Sequence, residues 1–171
     1  MSTRKITLNH RTRFLTAAAM IAAMYVALSW VSQLLGLCSG AVQCRISEAL
    51  CVLPVFTPAA IPGLTIGCFL ANLTTGCVWM DILFGTLATF LGALGGYLLR
   101  KVSAWLVPIP TVLANAFIVP FVLIYAYNVP DAWWFCFLTV GAGELIAAFA
   151  LGMILYFAAR KPLEKVLSLE R

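Results

Sequence analysis

Between Arg13 and Arg100 the chain carries three charged side chains, Arg45, Glu48 and Asp81. A water-soluble surface needs far denser polar cover, so most of this stretch must meet lipid. The pattern resumes after Lys101, with Asp131 and Glu144 the charged residues before Arg160. Composition agrees: 63% of the 171 residues are hydrophobic and 10% are charged. Mean hydropathy is +1.02. A membrane-crossing helix takes about 20 apolar residues, so Arg13 to Arg160 has room for five or six.

Glycine and proline punctuation divides this length. A first helix is expected at 14–36, followed by a loop with Gly36, Ser39 and Gly40. A second, shorter one at 46–57 runs into the prolines Pro54, Pro58 and Pro62, which place a tight turn at 54–60. The third is expected at 61–74 and the fourth at 80–100. Pro108 and Pro110 open the fifth, which closes near Tyr127–Pro130, and the sixth occupies 132–159. The expected fold is an all-α membrane protein of six transmembrane helices. A basic tail at 1–13 and a second tail at 161–171 flank the membrane domain at 14–160. No small-residue cleavage site follows a short apolar core, so the first helix reads as a retained span and not a signal peptide.

Orientation follows from basic clusters before the first helix, after the fourth and after the sixth. The positive-inside rule puts all three in the cytoplasm. Four crossings and then two satisfy it, whereas five in total would not. Both termini are then cytoplasmic, and loops 37–45, 75–80 and 127–132 face outward.

Several function classes fall away. The net charge of +5 sits at span ends, where it orients the chain and meets anionic headgroups, so nucleic acid is not implied. Six cysteines occur without a CxxC pair, so neither metal nor cofactor is expected; Cys38 and Cys44 are placed where a disulfide is feasible but not required. HExxH, GxSxG and Walker A patterns are absent from the sequence, and the single histidine, His10, lies in the first tail. Catalysis is not expected, and any ATP-driven pumping needs a partner. A stand-alone carrier would need inverted repeats or a polar path through the bilayer, and the cytoplasmic halves of the helices are almost free of polar groups.

The polar inventory inside the spans is short: Arg45, Glu48, Asn72, Asp81, Asn115 and Glu144. An ionisable group in hydrocarbon costs roughly 2.5–3.5 kcal/mol to insert, and so tends to face an interior cavity. Arg45 and Glu48, three apart, form either an ion pair at a helix end or one wall of a polar pocket. Glu144 shares a face with Ala148 and Gly152; it is either a protonated acid bonded to backbone or a ligand contact. Asn115 fits an interhelical hydrogen bond or the same pocket. Asp81 suits a helix N-terminus, and Asn72 suits a cap on the turn after it. Five helices thus aim polar groups toward the outer half. Paired carboxylates with carboxamides suit a small nitrogen-rich heterocycle, cationic or neutral. Trp79, Trp133, Trp134 and Tyr127 at the outer rim serve either as interface anchors or as a stacking surface.

Small residues mark close helix approach: Ala19, Ala23 and Ala27 beside Ala18 and Ala22, then Gly63, Gly67 and Ala71, then Ala88, Gly92 and Gly96. The latter two sets read as internal packing, while the alanine stripe could equally dock another subunit.

The segments Gln43-x-Arg45-Ile46-Ser47-Glu48-Ala49-Leu50, Leu53-Pro54-x-Phe56-Thr57-Pro58-Ala59-Ala60-Ile61-Pro62-Gly63, Gly67-Cys68-x-x-Ala71-Asn72, Asp81-x-x-Phe84-Gly85-Thr86-Leu87-Ala88-Thr89 and Gly143-Glu144 resemble the QueT family. These are bacterial substrate-binding (S) components of energy-coupling-factor (ECF) transporters. The resemblance covers roughly residues 13–160. It implies an S-component bundle with an outward pocket, a membrane coupling subunit and two cytoplasmic ATPase subunits as partners. It also implies a queuosine precursor as substrate, such as 7-aminomethyl-7-deazaguanine, queuine or a related deazapurine base; another vitamin-like heterocycle is the alternative. On this resemblance Glu48 and Glu144 are expected to meet the ligand's N–H groups, with Asn72 and Asn115 nearby; Gln43, Arg45 and Asp81 complete the expected substrate-binding set, Arg45 by orienting Glu48. Ala18, Ala19, Ala22 and Ala23 are the expected docking surface.

Overall fold

The computed structural model describes residues 9–38 and 44–167, and every regular element among them is helical. In order these are α1 (His10–Leu34), a 3-10 helix (Ile46–Val55), α2 (Ala60–Thr74), α3 (Trp79–Leu99), a 3-10 turn (Ala104–Leu106), α4 (Ile109–Tyr125), α5 (Trp133–Glu144), a π-helical segment (Leu145–Leu151) and α6 (Gly152–Leu167). Four stretches are long and apolar enough to cross a membrane: His10–Leu34, Trp79–Leu99, Ala104–Tyr125 and Trp133–Pro162. At most 44% of any of their apolar windows is buried inside the molecule. The remaining faces carry residues such as Leu15, Met20, Leu98 and Ile154, whose exposed side chains suit lipid contact.

All six expected segments are present, with local differences. The first starts at His10, four residues earlier than 14. The last does not stop at Arg160–Pro162; it continues to Leu167, because Pro162 removes one backbone bond without ending the helix. The second is a 3-10 helix. Regular α-winding would drive the Pro54 ring against the Leu50 carbonyl. The tighter winding relieves that and stretches ten residues over about 20 Å.

This 3-10 helix is the central strut. Every residue from Ser47 to Pro54 is buried, and the segment touches α1, α2, α3, the π-helical segment and α6. Its entry is held by α1, where Ser29 Oγ donates to Ser47 Oγ at 2.9 Å and Ser32 Oγ accepts from the Ile46 N–H at 2.8 Å.

Helices α1 and α2 lie side by side and parallel. A Cβ at Gly63 would fall 2.8 Å from the Ala18 carbonyl oxygen, and one at Gly67 would fall 2.7 Å from Tyr25 Cβ. Farther along, Trp30 Nε1 donates to Thr74 Oγ1 at 3.3 Å. Helices α3 and α4 make the converse, antiparallel pair: a Cβ at Gly92 would meet Thr111 Oγ1 at 2.5 Å and one at Gly96 the Val107 carbonyl at 2.7 Å. Both glycine sets are internal packing, as their spacing implies.

Candidate functional site

Arg45 precedes the 3-10 helix with an extended backbone (φ −98°, ψ 113°). It is therefore not aligned with Glu48 on a helical face, and the expected Arg45–Glu48 pair does not form. Instead Arg45 Nη1 donates to Asn72 Oδ1 at 2.9 Å, and Nη2 lies 3.6 Å from Asp81 Oδ2. Asn72 Nδ2 in turn donates to the Asp81 carbonyl at 3.3 Å. Tyr127 donates to Asp81 Oδ2 at 3.2 Å and accepts from the Val78 N–H at 3.4 Å. Asn72 is thus no mere cap, nor is Asp81 only a helix-end charge. A side chain at Gly85 would crowd both, with its Cβ 3.0 Å from Asn72 Nδ2 and 3.3 Å from Asp81 Oδ1.

Glu48 is 3% exposed. One carboxyl oxygen receives the Tyr25 hydroxyl; the other, Oε2, is buried with no hydrogen-bond partner among the described residues. Glu144 Oε2 is likewise buried and unpartnered among them, with the Asn115 carboxamide beside that carboxyl. Sequence reasoning missed Tyr25. Its signal was the buried series Ala18, Ala22, Tyr25, Ser29 and Ser32, spaced alternately four and three apart along α1.

Both glutamates stand on departures from the α-helix. Glu48 is in the first turn of the 3-10 helix, and Glu144 immediately precedes the π-helical segment. These two irregular elements pack on one another, with Cys51 Sγ donating to the Ala148 carbonyl at 3.6 Å; just beyond, at the start of α6, a Cβ at Gly152 would lie 3.3 Å from the Ala49 carbonyl. Wide π turns recur at functional positions because they re-aim side chains.

Two cavities adjoin here. The outer one, about 330 Å³, is lined by Arg45, Asp81, Tyr127, Gln33, Thr75 and Cys77, among others. The inner one, about 30 Å³, is lined by Glu48, Thr89, Asn115 and Glu144. Arg45, Asp81 and Val119 line both. Burial and then the Asp81 charge push the Tyr127 phenol up to about 12, so it remains a donor to that carboxylate.

The remaining expected residues divide. Gln43 lies outside the described residues. Ala18 and Ala22 are buried against Gly63 and Gly67 of α2, which removes them from any docking surface; Ala19 and Ala23 face outward. Among the rim aromatics only Tyr127 lines the outer cavity. Trp79 and Trp134 are exposed, and Trp133 packs against Phe117, Phe121 and Phe137. Cys38 and Cys44 are free thiols. No metal-binding cluster occurs among the described residues. Chemically, the arrangement turns carboxyl and carboxamide oxygens toward an enclosed floor, where they can accept from N–H donors.

The family model described as QueT transporter matches residues 15–161. The chain is also similar to the Queuosine precursor transporter QueT of Lactococcus lactis subsp. cremoris (strain MG1363), 33% identical over 79 residues. That alignment spans 46% of this chain and 46% of the relative, so it covers less than half of the relative's length. No solved structure matches the chain significantly.

Proposed function

The chain belongs to the QueT transporter family, and on that premise we propose that it captures a queuosine precursor outside a bacterial cell. It is a multi-pass membrane transporter and not an enzyme. In this reading it is the S component of an ECF importer in the cell membrane. A membrane coupling subunit and two cytoplasmic ATPases supply the energy, consistent with the absence of a nucleotide-binding loop in the sequence. The ligand is 7-aminomethyl-7-deazaguanine, queuine or a related deazapurine base.

One observation carries the proposal: Arg45, Glu48, Asp81, Asn115 and Glu144, from four separate elements, line a single chamber that adjoins a cavity of about 330 Å³. A buried acceptor left without a partner costs about 1–3 kcal/mol, and more when charged. Two such oxygens at one place are explained by a ligand rich in N–H groups. The outer cavity has the size for a bicyclic base.

Six crossings with both termini cytoplasmic fit the geometry. The 3-10 helix and α2 are short for a bilayer core of about 30 Å. Yet α2 runs parallel to α1 with Gly63 level with Ala18, so the turn before it falls near Phe14, beside Arg13. Phe56, at the same turn, stacks on Tyr156 at 5.6 Å, four residues before Arg160. That turn therefore reaches the level of the basic clusters, and the cavities lie toward the opposite end of α1. On the basic end, Ala19 and Ala23 are the part of the alanine stripe open to a coupling subunit.

The test is titration of the purified protein with deazaguanine derivatives. Tight binding is expected; none in that class, with tight binding of another vitamin, would reassign the substrate. Co-purification with two ATPase subunits and a membrane partner tests the coupling.

A further inference from the structure

The two compartments differ in size and charge in a way that orients the ligand. We propose, resting on the deazapurine reading above, that the inner chamber is a subsite for a primary ammonium on a short arm. The flat ring stays in the outer cavity, so the site selects ligands by their arm.

Size is the first argument. About 30 Å³ holds one or two water-sized groups, which admits an aminomethyl tip and excludes a fused ring. The outer cavity, more than ten times larger at about 330 Å³, accommodates the ring. Their common wall at Arg45, Asp81 and Val119 is the neck through which an arm would reach.

Charge is the second. Around the inner chamber one guanidinium, Arg45, faces three carboxyls: Glu48, Asp81 and Glu144. That guanidinium is already engaged with Asp81 and Asn72. Glu48 is 3% exposed, its one oxygen held by Tyr25, and its Oε2 has no partner among the described residues; Glu144 Oε2 has none either. An ammonium supplies three N–H donors and the missing positive charge, and the Asn115 side chain oxygen can take the third donor. A neutral nitrile or a bare ring edge supplies neither.

Three probes sharing one ring decide this: 7-aminomethyl-7-deazaguanine, 7-cyano-7-deazaguanine and 7-deazaguanine, titrated calorimetrically into the purified full chain. The aminomethyl compound should bind about ten- to a hundredfold more tightly than the other two, the range for a charge-assisted hydrogen bond. Glu144→Gln, and separately Glu48→Gln, which can still accept from Tyr25, should erase most of that preference and leave the cyano and unsubstituted bases within about threefold of wild type. Thermal melting verifies that each variant is folded, and either one suffices if the other is not. Equal affinity for the three probes, or a uniform loss for all three in Glu144→Gln, would overturn the ammonium subsite while leaving the deazapurine reading intact. No binding of any probe to folded wild type would overturn both.

Discussion

At the scale of single residues, Glu144 and Tyr25 carry different burdens. Glu144 has a buried oxygen without a partner among the described residues, so Glu144→Gln should cost little in stability while weakening binding of 7-aminomethyl-7-deazaguanine, and not of the bases that lack its ammonium, at least about tenfold. Isothermal titration together with a melting curve separates the two effects. Tyr25 is 1% exposed and supplies the hydroxyl that holds Glu48. Tyr25→Phe should therefore lower stability by about 1–3 kcal/mol, the cost of orphaning a buried acceptor, and should weaken binding as well. Unchanged melting would mean that the hydroxyl is replaceable. Tyr127 makes a pH prediction. Its pKa rises from the ordinary 10.0 to about 12 through burial and then the Asp81 charge. Between those values the folded state holds a proton that the unfolded state has lost, so stability should fall as pH rises from 10 toward 12. The slope there should be shallower in Tyr127→Phe, measured by melting across that window.

At the scale of elements, glycines decide which helices meet. A Cβ at Gly92 would press within 2.5 Å of Thr111 Oγ1 and 2.7 Å of the Thr111 Cα, where backbone cannot yield. Gly92→Val should separate α3 from α4 at a cost of about 1–3 kcal/mol, read as a lowered melting temperature in detergent. At Gly36 and Gly76, whose φ values of 71° and 78° lie in the left-handed region, the nearby space is open; there conformation, not crowding, favours glycine. The 3-10 strut and the π-helical segment show how irregular winding serves the site. The strut carries Glu48 and the π-helical segment begins directly after Glu144, so their mutual packing keeps the two acids on one chamber.

At the scale of the whole molecule, the proposed orientation predicts which thiols are reachable. Cys38 and Cys77 line the outer cavity, whereas Cys51, Cys68 and Cys136 are buried. A membrane-impermeant maleimide applied to intact cells should label Cys77, and bound deazaguanine should slow the reaction. Labelling of a cysteine added at the N-terminal tail, with Cys77 protected, would invert the topology.

Hydropathy made the crossing segments legible, because lipid solubility is a property of composition along a stretch and needs no knowledge of neighbours. Proline and glycine punctuation located the turn after Val55 to within a few residues for the same local reason. The polar inventory was also readable, since a charge in hydrocarbon is expensive wherever it stands. What sequence left open was partnership. Arg45 is three residues from Glu48 yet engages Asp81 and Asn72, and Tyr25 reaches Glu48 across 23 positions. Helix spacing ranks neighbours along one element only; distances between elements are set by how glycine and alanine faces seat against each other. The chain alone therefore determined that six polar side chains stand among long apolar stretches and need partners there. Packing alone decided that Ala18 and Ala22 are enclosed, that Glu48 and Glu144 share a chamber, and that Arg45 lines both cavities.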